Sequence, residues 1–183
     1  MYDTKQVRSH GESHLALKSC EEDMSLQYLP FNQTTIGAKG SLGSVLVVED
    51  DSGDEFFILR ALKSLNIEAN VTVVHDGEEA IDFVFKSGPF ANRSEALNPK
   101  VIMLDLCIPK VAGLEVLRLI KEDPKTCQIP VVVMTSSESN SDVHRCYELG
   151  ANSVVRKGRF IEEFRESVAL AVAYWTRVNV YQK

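Results

Sequence analysis

Short apolar runs alternating with helical patterns constrain this chain more than any other feature. The runs are 45–49, Val71–Val74, 101–105, 129–135 and Ser153–Arg156. Each is too short for a helix and rich in β-branched residues, and most are apolar at nearly every position rather than every second one. A strand patterned this way is covered on both faces, as in a parallel sheet. Helical segments lie between the runs. Residues 55–65 place Phe57, Leu59, Ala61, Leu62 and Leu65 around a buried stripe. Asp76 is read as the N-cap of a helix over 77–86, with Glu79 completing a capping box. Residues 114–121 carry Val116, Leu117 and Ile120, and Pro124 follows. Residues 142–149 run into Gly150, a helix-stop signal. The last helix, 160 to about 178, repeats Phe160, Phe164, Val168, Ala171, Trp175 and Val178 on one face. Five strand–helix units in order predict an α/β fold, a five-stranded doubly wound parallel sheet with helices on both faces. One connection, 87–98, is long.

The 183 residues divide into an extension over 1–43 and a domain over 44–183. The extension is rich in Ser, Gln, Asn, Thr and Gly and is read as mostly disordered. Leu26, Tyr28, Leu29 and Phe31 within it are apolar enough to dock on the domain or a partner. His10 and His14 are spaced i, i+4 but fall in this tail, and are not read as a metal site. A net charge of −6 argues against a nucleic-acid surface, which needs clustered Lys and Arg. Cys20, Cys107, Cys127 and Cys146 lie far apart, as reduced thiols rather than a disulfide or zinc framework. The longest apolar run, 168–175, is far below the roughly 20 residues of a membrane span. Glu21, Glu22 and Asp23 stand where a signal peptide needs apolar residues. A cytoplasmic protein with no membrane partner is expected.

In doubly wound sheets, ligands collect beyond the carboxyl ends of the strands. Here the first run ends in Glu49 and Asp50, the third in Asp105 and the fourth in Thr135, and Lys157 follows the fifth. A strand-end Asp is usually a cap and a lone Lys is usually solvated, so each is weak by itself. Their joint placement on one edge is not. Crowded carboxylates raise one another's pKa unless a cation relieves them. Mg²⁺ prefers oxygen ligands from one or two carboxylates plus water and phosphate oxygens, and Glu49, Asp50 and Asp105 can provide them. A side-chain Asp can form an acyl phosphate, whose oxygens Lys157 and the Thr135 hydroxyl could compensate.

At these residues the sequence resembles the receiver domain of two-component response regulators. The carrying motifs are Val47-Val-Glu-Asp-Asp51, Leu104-Asp-Leu-Cys-Ile-Pro109 with Gly113, Val133-Met-Thr-Ser136 and Val155-Arg-Lys157. The resemblance covers 44 to about 178 and implies the flavodoxin-like receiver fold, strand order 2-1-3-4-5. It implies Asp105 as phosphoacceptor and Mg²⁺ held by Glu49, Asp50, Asp105 and the backbone carbonyl of Cys107. Thr135 and Lys157 would contact the phosphoryl group. Asp51 receives no role and is expected to begin a loop. More narrowly, the long loop, the stretch 128–136, Tyr147-Glu-Leu-Gly-Ala-Asn152 and Trp175 are similar to single-domain receivers that accompany phytochrome-type histidine kinases.

Departures are visible. Gly158 stands where receivers have proline after the lysine, which predicts a trans bond or reshaped loop and a shifted Lys157 or last helix. Val154 replaces the usual aromatic of the fifth strand, and Ser136 a smaller residue. Cys107 and Ser137 occupy positions that tune hydrolysis, so the phosphoryl lifetime stays open.

The expectation is a phosphoacceptor module, not an enzyme with a turnover substrate. It would be served by a sensor histidine kinase or phosphotransfer protein and signal by protein contact. Two readings compete with it. One is a receiver-like module that binds without phosphorylation. The other is an aspartate-nucleophile phosphatase, which needs a second acid where Cys107 stands. The chain stops five residues after Val178, so no output domain is expected. Leu170, Tyr174 and Tyr181, off the core stripe, would serve a homodimer through the last helix or tuck against the domain.

Overall fold

A computed structural model describes residues 44–65, 71–94, 98–158 and 160–180. The expectations for 1–43, including the two histidines and Cys20, and for Tyr181 lie outside the described residues.

Five strands form one sheet: β1 (Ser44–Val48), β2 (Val71–Val74), β3 (Pro99–Asp105), β4 (Val131–Thr135) and β5 (Ser153–Arg156). Every neighbouring pair is parallel, as the apolar runs predicted, and the order is β2-β1-β3-β4-β5, as the resemblance to receivers implied. Successive side chains of a strand point to opposite faces, so an all-apolar strand supplies two cores. Leu46, Val48, Ile102, Leu104, Val131 and Val133 pack on one face against α2 (Gly77–Phe85), α3 (Gly113–Glu122) and Cys146 of α4 (Asn140–Glu148). Val45, Val47, Val101, Met103, Val132 and Met134 pack on the other, against α1 (Ser52–Ser64) and α5 (Ile161–Ala173). β1 is fully covered, as its unbroken apolar run requires.

Helix ends follow local chemistry. Asp51 is the N-cap of α1, its Oδ1 accepting from the Gly53 and Asp54 N–H groups at 2.9 Å each. The third acid of the first run therefore has a role after all, satisfying N–H groups that an α-helix leaves without partners. Asp76 Oδ1 accepts from the Glu79 N–H at 2.8 Å, and Glu79 accepts from the His75 N–H at 2.9 Å. The capping box forms, with its return bond one residue early.

Three expectations shift. The buried stripe of α1 is Ile58, Ala61, Leu62 and Leu65, the i, i+3, i+4, i+7 set, while Phe57 and Leu59 are only half-buried. On the last helix Phe160 precedes the first turn and is exposed. A π-helical turn over Tyr174–Val178 widens the end, so Val178 faces water and Trp175 packs at the rim, its Nε1 donating to Ser153 Oγ. The long loop contains a 3₁₀ turn, Gly88–Phe90, held by Phe90 edge-on to Phe83. Arg93 stacks over that Phe83 ring and donates to the Phe83 carbonyl.

At the edge opposite the acids, Lys121 replaces two residues of expected strand. Its ammonium donates to the carbonyls of Cys127 (3.1 Å) and Ile129 (2.7 Å) and to Asn152 Oδ1 (2.8 Å). Asn152 Oδ1 also accepts from the Val131 N–H, so β4 begins at Val131 rather than at 129. Burial pushes the Lys121 pKa down to about 8. The unfolded chain, with an ordinary lysine, therefore binds the extra proton between about pH 8 and 10.5, and stability contributed at this site rises with pH across that window. Denaturant unfolding checks it. The stability of wild type relative to Lys121→Met should grow by on the order of 2 kcal/mol between pH 7.5 and 10.5. A constant difference would show that the ammonium is as comfortable folded as unfolded.

Candidate functional site

β1, β3, β4 and β5 all end at one edge of the sheet, and their last residues meet there. Glu49, directly after β1, is fully buried, and Asp105, the last residue of β3, is 5% exposed. Carboxylate oxygens of Glu49, Asp50 and Asp105 all lie within 4.8 Å of one another. Asp50 is the exposed member. Lys157, just beyond β5, brings its Nζ to 2.8 Å from Glu49 Oε2 and 2.7 Å from Asp105 Oδ2. Its own N–H donates to the Thr135 carbonyl at 2.8 Å, tying the end of β5 to that of β4. The glycine after Lys157 does not keep the ammonium out of the site.

The ammonium has a third carboxylate. Asp54 Oδ2, in the first turn of α1, accepts from Nζ at 2.8 Å. Sequence reading missed it. That helix was expected at 55 and begins at Ser52, which is why the acid was overlooked.

One ammonium among several acids sets the electrostatics. Burial raises the Glu49 pKa to about 7, against the lowering effect of its bond to Lys157. Burial disfavours the charge on Lys157, but its bonds to Asp105, Asp54 and Glu49 prevail and hold its pKa above the usual lysine value. Negative charge remains in excess, and a divalent cation relieves such an excess. The donor set is oxygen throughout, which suits a hard cation such as Mg²⁺, so the residues fit the metal that the motifs imply.

Asp105 is held at both oxygens. Oδ1 accepts from the Cys107 N–H at 3.1 Å, while Oδ2 takes Lys157. The Cys107 thiol itself is exposed. The loop carrying it is pinned from two sides. Lys110, at a left-handed φ of 63°, reaches Asp76 Oδ2 at 2.7 Å, and the Gly77 N–H donates to the Pro109 carbonyl. Thr135, 2% exposed, sits one residue beyond Met134, the register partner of Asp105. Its Oγ1 accepts from the Ser137 N–H at 3.0 Å. Beside Lys157 a cavity of about 390 Å³ is lined by Ser136, Ser137, Asn140, Arg156 and Gly158 among others. The residue two after Asp105 is a cysteine, so the second acid of an aspartate-nucleophile phosphatase is not present there.

A parallel sheet in this order, with acids and a lysine gathered at its carboxyl edge, is the architecture of a receiver. The chain belongs to the response regulator receiver domain family, whose model matches residues 45–169. It is 34% identical over 131 residues to the response regulator Rcp1 of Synechocystis sp., covering 72% of this chain and 87% of that protein. It superposes on the phosphorylated cyanobacterial phytochrome response regulator RcpA with a TM-score of 0.71 at 32% identity, covering 77% of this chain and 99% of that one. The Mn²⁺-bound form of Rcp1 matches equally, with a TM-score of 0.71, 32% identity and the same coverage. The resemblance to receivers of phytochrome signalling read in the motifs is thereby upheld. No helix among the described residues is long and apolar enough to cross a membrane.

Proposed function

We propose that the chain accepts a phosphoryl group from a histidine kinase or phosphotransfer protein onto Asp105, in a Mg²⁺-dependent reaction, and signals by protein contact. The supporting observation is the double hold on Asp105, Lys157 at 2.7 Å on one oxygen and the Cys107 N–H at 3.1 Å on the other. A carboxylate fixed in this way attacks from one direction, which is the main service a protein can render to phosphoryl transfer. Glu49, Asp50 and Asp105, with the Cys107 carbonyl, would hold the metal. Mg²⁺ bound there supplies charge that neutralises the acids and the phosphoryl oxygens.

An Asp105 oxygen forms the new O–P bond as the P–N bond to the donor histidine breaks, and the imidazole leaves with the electron pair. Lys157 faces the equatorial oxygens, and the Thr135 hydroxyl adds a hydrogen bond. Water later attacks the phosphorus, the O–P bond to Asp105 breaks and inorganic phosphate leaves, at a rate tuned by the side chains of Cys107 and Ser137. Likeness to RcpA and Rcp1 supports a phytochrome-type kinase as donor. The exposed Leu170 and Tyr174 of the last helix support a homodimer through that helix. A net charge of −6 supports protein rather than nucleic-acid partners.

Transfer of labelled phosphoryl from a phosphorylated kinase core tests the reading. Label should reach the wild-type protein in Mg²⁺ and should reach neither Asp105→Asn nor a chelator-treated sample. Failure of every phosphohistidine donor would leave a module that binds without phosphorylation.

A further inference from the structure

Lys157 touches three carboxylates, and only Glu49 and Asp105 belong to the acid set that fits a divalent cation. The third, Asp54, stands apart. Its N–H is bonded to Asp51 Oδ1, so the N-cap that starts α1 also fixes where Asp54 sits. Its side chain is 34% exposed, beside 11% for Lys157, so it closes the solvent side of the ammonium.

The Lys157 N–H is tied to the Thr135 carbonyl, but the chain just beyond it has room to move. Gly158 follows it, and a Cβ there would meet nothing nearer than Glu163 Oε2 at 3.7 Å. A glycine restricts the chain less than any other residue, and the lysine head is a compact charge on a flexible four-carbon stem. The ammonium therefore depends on its partners to stay over Asp105. A cation engaging Glu49 and Asp105 competes for two of those partners. Asp54 is the partner left to the lysine.

We propose that Asp54 is a positioning residue that holds the Lys157 ammonium over Asp105. It touches neither the phosphoryl group nor the metal and acts only through the lysine. The inference rests on the phosphoacceptor reading and goes beyond it, because it concerns an acid outside the metal set.

Two readouts test it. In metal-free ¹⁵N-labelled protein the Lys157 ammonium, assigned with Lys157→Arg, should exchange its protons slowly. Asp54→Ala should speed that exchange by about tenfold, and Asp54→Glu should restore much of the protection, as expected when one charge-assisted hydrogen bond of three is lost. At saturating Mg²⁺ and a small phosphodonor, Asp54→Ala should lower the phosphorylation rate by roughly 5- to 20-fold. The same substitution in a Lys157→Ala background should lower it no further, because the coupling runs through the pair. Unchanged ammonium exchange in Asp54→Ala would overturn the proposal. So would a rate loss that persists in full without Lys157, which would mean that Asp54 acts through the acidic field alone. A wild-type protein that takes up no phosphoryl at all would count against the phosphoacceptor reading, while the exchange measurement would still decide the role of Asp54.

Discussion

Incubated with acetyl phosphate and Mg²⁺, the protein gains the mass of one phosphoryl group, and Asp105→Asn gains none. The asparagine keeps the shape of the side chain and an oxygen for the Cys107 N–H, now 3.1 Å from Asp105 Oδ1. Lys157 keeps Glu49 and Asp54 as partners, so the site survives the substitution. What disappears is the nucleophilic oxygen, and with it the whole reaction, since an amide oxygen forms no stable acyl phosphate. A metal-free sample should also show no gain. The acids nearest to Asp105 make the experiment discriminating. Glu49 is sealed from solvent and shifted toward neutrality, whereas Asp50 is exposed and within reach. A mass gain that survives in Asp105→Asn would place the phosphoryl on another acid, Asp50 first, and would reassign the site.

Gly113→Ala should be strongly damaging although it adds a single methyl and leaves every charged residue in place. A Cβ on Gly113 would sit 2.2 Å from the Asp105 carbonyl oxygen and 2.6 Å from the Leu106 Cα. Both are backbone atoms, so no side chain can swing aside. Either α3 backs away from the sheet or the end of β3 moves. Overpacking of this kind costs about 3 kcal/mol or more where the neighbour is rigid. The end of β3 carries Asp105, so phosphoryl uptake should fall together with stability. Gly158→Ala provides the contrast, with its nearest contact at 3.7 Å, and should change the free energy of unfolding by less than about 0.5 kcal/mol. Urea unfolding of both variants, read beside their phosphorylation rates, checks the pair. Equal behaviour would mean that α3 is free to slide.

Much of the site was legible because its residues are tied to strand ends. A buried parallel strand is apolar at nearly every position, so the point where polarity returns marks its end, and in this topology all the ends lie on one edge. Glu49, Asp50, Asp105 and Thr135 could therefore be grouped before any coordinate was known. Lys157 could be added, since it follows the fifth run directly.

The errors have a common origin. Asp54 and Asp51 lie on the turn where β1 hands over to α1, and apolar periodicity marks a helix only from its first buried residue. The start at 55 thus hid three residues of helix, including the N-cap contact and the acid that reaches Lys157. At the other end of the chain, the stripe carried through to Val178 fails because a π-helical turn changes the angular step, which no periodicity in the preceding residues announces. Ile129 looked like strand because it is β-branched, yet its carbonyl is taken by Lys121.

The sequence by itself determined the number of the strands, their parallel direction and the edge on which the acids gather, because burial on two faces writes itself into unbroken apolar runs, while the order of the strands followed from the resemblance to receivers. Only the tertiary structure decided which acids the one lysine touches. That choice depends on how α1 leans over the end of β1, and a side chain 103 residues away in sequence becomes a partner at 2.8 Å through packing that no local pattern encodes.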